Sequence, residues 1–123
     1  MENMAKGYAL IPRIVLEYPD DEKRYALMLL YMKVTYDEQT VKGVKLRRGQ
    51  LFLTIHGFAR ELNWNRQKVR RFLADLERQK GEAWAIEQEI IKPSTINPMN
   101  KPRQIGKRIT FIYYNETCGE LPK

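Results

Sequence analysis

The stretch from Gly49 to Lys80, GQLFLTIHGFARELNWNRQKVRRFLADLERQK, carries the signals from which the rest of the chain is read. Leu51, Phe52 and Leu53 make a short apolar run that predicts a strand, and Thr54 behind it has the hydroxyl that caps a helix N-terminus. The helix it opens is expected to end near Leu62, with Phe58, Ala59 and Leu62 on one buried face. Asn63 and Trp64 then make a tight turn, and Asn65 is a second cap. In the helix that follows, expected over about residues 65–79, Val69, Phe72, Leu73 and Leu76 fall at i, i+3, i+4 and i+7, the spacing of a single apolar stripe. At about 100° per residue the opposite face carries Gln67, Arg71, Ala74 and Arg78, flanked by Lys68 and Arg70. The small Ala74 lets a groove approach closely.

Two helices joined by a tight turn can read DNA because the first braces the second. The second fits the major groove, about 12 Å wide, and presents its N-terminal residues to base edges. Arginine bonds bidentately to guanine and glutamine to adenine, so Arg66, Gln67, Lys68, Arg70 and Arg71 are the residues expected to face a duplex. Gln67 and Arg71 point most directly outward and are the expected base readers. Arg66, Lys68 and Arg70 are expected to hold phosphates, which sets register without reading sequence. A solvated charged face behind an apolar stripe would give the same helix. The capped helix and turn upstream, and a basic hairpin downstream, argue against that plainer reading.

That hairpin comes from Trp84–Lys92 (WAIEQEIIK) and Ile105–Tyr114 (IGKRITFIYY), two strand-like runs separated by the turn-rich PSTINPMNKPRQ. In the second run Ile109, Phe111 and Tyr113 alternate with Thr110, Ile112 and Tyr114, so one face is expected to cover the core. From Lys92 to Arg108 the hairpin holds Lys92, Lys101, Arg103, Lys107 and Arg108 and no acid. A helix-turn-helix followed by a hairpin is the winged-helix order. The expected class is therefore α+β, a three-helix core with a small β-sheet and a C-terminal wing over about residues 84–114. Lys101, Arg103, Lys107 and Arg108 would lie along the backbone or minor groove.

Charge follows the same layout. Residues 42–80 hold 11 Lys/Arg against 3 Asp/Glu, in a chain whose formal net charge is +7. Each phosphate contact made by a lysine or arginine releases counterions, so binding to a polyanion should weaken steeply with salt. With 123 residues, 43% of them hydrophobic, the chain has the size and composition of one folded domain. No apolar run approaches the roughly 18 residues that cross a bilayer. Residues 1–15 lack the apolar core and cleavage site of a signal peptide. The single cysteine, Cys118, fits a reducing compartment. A cytoplasmic protein with no membrane partner is expected.

Residues 1–20 are expected to form an apolar arm, centred on AKGYALIPRIVLEY at 5–18, extended with at most a short helical turn. Asp20, Asp21 and Glu22 sit where a helix dipole favours acids, and the helix they open should run to about Val34 or Tyr36. Its residues Tyr25–Met32 (YALMLLYM) leave no wholly polar face. Either the arm or a second copy of the chain must cover it, so a homodimer through the arm and first helix is one expectation. Asp37–Arg48 is polar, with one glycine, and reads as a loop.

Catalytic chemistry finds little support. His56 is the only histidine and has no cysteine or acid at ligand spacing; a surface or capping role is expected. Cys118 has no base beside it, and the acids at 20–22 are explained by helix-start charge. Neither a phosphate loop nor a dinucleotide fingerprint is present. No enzyme activity, cofactor or metal is expected. Trp64 and Trp84 are expected to close core junctions.

The pieces Ile11-Pro12-Arg13, Arg48-Gly49-Gln50, Phe58-Ala59, Leu62-Asn63-Trp64-Asn65, Val69-Arg70-Arg71-Phe72-Leu73 and Ile109-Thr110-Phe111 with Tyr113 or Tyr114 occur in an order that resembles a known group. It is the N-terminal winged-helix domain of DnaD-like and phage replisome-organiser replication proteins. The resemblance implies duplex DNA binding and self-association through the N-terminal segment. That group usually continues into a second helical domain, for which these 123 residues leave no room. The expected role is accordingly non-catalytic, of transcriptional-regulator or replication-accessory type. The alternative is a protein-interaction module that uses the apolar N-terminal region.

Overall fold

The computed structural model describes residues 10–41, 43–91 and 106–119. Pro12 precedes a single 3-10 turn, Arg13–Glu17, which plants Val15 in the core and leaves Leu16 in solvent. The acids that follow start helix α1, Asp21–Lys33: Asp20 Oδ1 accepts from the Lys23 backbone N–H at 2.9 Å. That bond holds the Asp20 carboxyl below its ordinary range. Ala26, Leu27, Leu30 and Tyr31 form the buried side of α1.

The region expected to be a loop after α1 instead contains a two-stranded hairpin. Strand β1, Gln39–Val41, pairs antiparallel with β2, Val44–Leu46. At three residues each, the strands are too short to declare themselves. Val44 and Leu46 are nevertheless buried, which holds the hairpin down.

Strand β3, Gln50–Thr54, passes directly into α2, Ile55–Leu62. Gly49 opens this passage at φ 87°, and a Cβ on it would stand 2.9 Å from the Tyr114 Cβ, so both conformation and space select glycine. Thr54 caps α2 as expected, its Oγ1 accepting from the Gly57 N–H at 3.0 Å. Asn63 ends it in the left-handed region at φ 59°, where asparagine is among the few tolerated residues. Asn65 Oδ1 then accepts from the Lys68 N–H at 2.8 Å and starts α3, Arg66–Arg78. Val69, Phe72, Leu73 and Leu76 are all fully buried, as their spacing predicted. Each removes apolar surface worth about 1.5–3 kcal/mol.

Strands β4, Ile86–Ile91, and β5, Gly106–Phe111, follow. They form an antiparallel sheet with β3 in the order β3-β5-β4. The register pairs Leu51 with Ile109 and Ile86 with Phe111, and these four side chains face the helices. The opposite face carries Phe52, Glu89 and Arg108. There the Phe52 ring lies over Gly106, where a Cβ would be 2.1 Å from its Cζ.

The strand expected to run on to Tyr114 stops at Phe111, and the chain turns into a one-turn helix, α4, Tyr114–Cys118. Tyr114 is buried there, against Gly49. The described chain is thus α+β, with four helices and two small antiparallel sheets. Among the described residues no helix is long and apolar enough to cross a membrane.

Candidate nucleic-acid interface

Helix α3 presents its basic side away from the core. Arg66, Gln67, Arg70 and Arg71 are exposed, and among the described residues none of the three arginines is paired with a carboxylate. Three guanidinium groups within two turns of helix repel one another. Ala74 is half-buried, so the middle of the face is low.

The other expected contacts are less available. Lys68 Nζ lies 2.6 Å from Glu22 Oε1 at the start of α1 and 4.5 Å from the centroid of the Trp64 ring. Arg78 is paired with Asp75 one turn earlier on its own helix. Lys107 sits on the helix-facing side of β5, paired in register with Ile90, and donates to Gln88 Oε1 at 2.9 Å. Gln88 in turn donates to Glu77 Oε1 of α3 at 2.9 Å, so a three-residue bridge joins the sheet to the helix. Burial lowers the Lys107 pKa; Glu77 opposes that shift and Arg70 adds to it, which places this lysine in the field of the arginine face.

Arg108 projects from the other face of the sheet. It bonds Glu89 Oε1 at 2.6 Å through Nη2 and at 3.0 Å through Nε, and donates through Nη1 to the Lys45 carbonyl at 2.9 Å. These bonds clamp the β1–β2 hairpin to the sheet and turn the guanidinium away from α3. A cleft of about 520 Å³ opens beside the clamp, lined by Glu38, Lys45, Arg47, Glu89 and Arg108 among others. Lys101 and Arg103 lie outside the described residues, as does Lys92.

The residues set aside for catalysis are placed as follows. His56 is exposed on the first turn of α2. Cys118 is half-buried, with Thr117 Oγ1 3.8 Å from its Sγ, and burial pushes the thiol up, away from the thiolate that nucleophilic chemistry needs. Among the described residues no three metal-binding side chains cluster. Trp64 meets Phe72 edge-on at 5.7 Å, and Trp84 meets Tyr18 edge-on at 5.1 Å while donating to Gln79 Oε1. Both close junctions of the core.

Sequence reasoning missed Glu22, Glu77 and Gln88 as neighbours of the basic face. Glu22 lies 46 residues from Lys68, and no spacing rule connects them.

The outward side of α1 contrasts with that of α3. Tyr25 and Met32 are 57% and 56% exposed, and Met28 and Leu29 between them are half-buried. The four fall within a narrow arc opposite Ala26, Leu27, Leu30 and Tyr31. Residues 10–20, the described part of the N-terminal segment, therefore leave this arc uncovered.

The chain matches none of the protein-family models, curated proteins or solved structures with which it was compared.

Proposed function

We propose that this chain is a winged helix that binds double-stranded DNA without catalysis, with α3 in the major groove and the β4–β5 hairpin as its wing. The observation that carries the reading is the unneutralised face of Arg66, Gln67, Arg70 and Arg71, held up by a capped two-helix turn. The strand order β3-β5-β4, with α2 and α3 between the first strand and the hairpin, is the arrangement a winged helix requires. It supports the same reading. Lys107 adds a cation where the wing meets α3. Gln67 and Arg71 read base edges, and Arg66 and Arg70 hold the backbone. Arg108 serves the hairpin clamp, with at most a secondary role on DNA. Cellular roles in keeping with this reading are a cytoplasmic transcriptional regulator or a replication accessory of phage or mobile-element type.

The test is a fluorescence-anisotropy titration of labelled duplex in rising salt. Binding at low salt should fall with a log–log slope of about −0.9 per phosphate neutralised. A chain that binds no duplex at low salt, or binds without salt dependence, is not the protein proposed.

A second reading draws on a separate observation, the apolar outer arc of α1. An arc of that kind suits a second copy of the chain or another protein. A homodimer would set two copies of α3 about one duplex turn apart, on a quasi-palindromic site. Sedimentation across a concentration series distinguishes a dimer from a monomer.

A further inference from the structure

Among the described residues, Lys68 is the cation on the first turns of α3 that a carboxylate holds. We propose that Glu22 limits the affinity of the DNA-binding face by occupying Lys68 as a stand-in for a backbone phosphate. The inference rests on the duplex-binding reading above. Glu22 lies in the first turn of α1, and its Oε1 stands 2.6 Å from Lys68 Nζ. The two side chains are 56% and 37% exposed, so incoming phosphate can reach both. Asp20 adds to this corner, its carboxyl being held down first by the Lys23 backbone N–H and in smaller part by the Lys68 charge. The acidic start of α1 therefore meets the basic start of α3 at the rim of the proposed interface.

The exchange is chemically simple. An ammonium is a compact charge with three rotatable donors, and it bonds a carboxylate or a phosphate oxygen without the planar geometry an arginine requires. The Trp64 ring under Nζ keeps the ammonium in place when its partner changes. In the free chain Glu22 satisfies Lys68. On a duplex the phosphate must displace Glu22, and breaking the Glu22–Lys68 pair is the cost of that exchange. This cost is the same for every sequence, so it weakens backbone holding and leaves net affinity more dependent on Gln67 and Arg71.

Four full-length proteins test this on one labelled duplex over a salt series: wild type, Glu22→Gln, Lys68→Gln and the double variant. Glu82→Gln is the control, since it makes the same charge change at an exposed position beyond the far end of α3. Glu22→Gln is expected to bind about threefold more tightly than Glu82→Gln and to steepen the salt slope by about one. The gain should vanish in the double variant. If Glu22→Gln unfolds the chain, Glu22→Asp, one methylene shorter, is expected to give a smaller gain in the same direction. Wild-type binding with Glu22→Gln no tighter than the control, or a gain that survives loss of Lys68, overturns this inference and leaves duplex binding standing. Failure of every variant to bind at low salt overturns both.

Discussion

Helices α1 and α3 are both 13 residues long, and each buries four side chains in the same core, yet their outward sides are opposite in chemistry. The outer side of α3 is Arg66, Gln67, Arg70 and Arg71; that of α1 is Tyr25, Met28, Leu29 and Met32. The inward side of each helix secures the fold, and an aliphatic and aromatic stripe is enough for that on either. The outward side selects the partner. A row of cations without carboxylates suits a polyanion, and a row of thioethers and rings suits another apolar surface. The two helices touch electrostatically at one corner, through Glu22 and Lys68.

The largest expected effect removes the shared core and so destroys both outward faces together. Phe72→Ala, at a fully buried ring, should lower unfolding free energy by about 3–5 kcal/mol in a urea titration. Duplex binding should be lost with the fold. A loss under 1 kcal/mol would mean that α3 is not packed as described.

Next in size is a change confined to the basic side. Arg71→Ala should cost about 1–3 kcal/mol of duplex affinity and relax base preference. Arg70→Ala should weaken all duplexes alike and reduce the salt slope by about one. Both should leave stability within about 0.5 kcal/mol, because both residues are exposed. If the two variants change affinity equally and neither changes base preference, the assignment of reader and holder is wrong.

The apolar side of α1 is broken by Tyr25→Glu with Met32→Glu. Their Cβ atoms lie on one arc, so two charges there should abolish self-association in sedimentation while leaving the fold intact. Intrinsic duplex affinity per chain should stay within about twofold of wild type. A large loss of binding to an isolated half-site would make α1 part of the DNA surface and erase the contrast.

The smallest effect concerns neither outward side. Burial pushes the Tyr114 hydroxyl up to about 12, against about 10 in an unfolded chain. A group whose folded pKa is raised contributes stability that is fully present below the unfolded pKa. That contribution is lost as pH rises between about 10 and 12, because the unfolded chain ionises first. Burial shifts Tyr31 in the same direction. Tyr114→Phe should flatten part of the alkaline limb of a stability-against-pH curve and leave neutral pH nearly unchanged. An alkaline limb identical to wild type would contradict the burial of this hydroxyl.

How much of this could be read from sequence depended on the range of the signal. The α2–turn–α3 unit is specified by short-range spacings: Thr54 and Gly57, Asn65 and Lys68, and the stripe from Val69 to Leu76. All of it was legible. The β1–β2 hairpin was not, because its strands are three residues each, too short to show an alternation, and what holds them is the far side of a sheet assembled from β3, β4 and β5. The end of β5 was misread for a related reason. Tyr113 and Tyr114 continue the strand alternation, but Tyr114 is drawn into α4 by the space that Gly49 leaves. At the candidate site, the outward direction of Gln67, Arg70 and Arg71 followed from helical geometry. The engagement of Lys68, Lys107 and Arg108 did not, since Glu22, Gln88, Glu89 and the Lys45 carbonyl reach them only through tertiary packing.

The most direct test is a backbone amide chemical-shift titration of the isotope-labelled chain with a short duplex at low salt. The account predicts that the strongest perturbations map to residues 66–71 and to Lys107, with the amides of Tyr25, Met28, Leu29 and Met32 little moved. Perturbations centred on α1 with residues 66–71 unaffected, or no perturbation at saturating duplex, would contradict it.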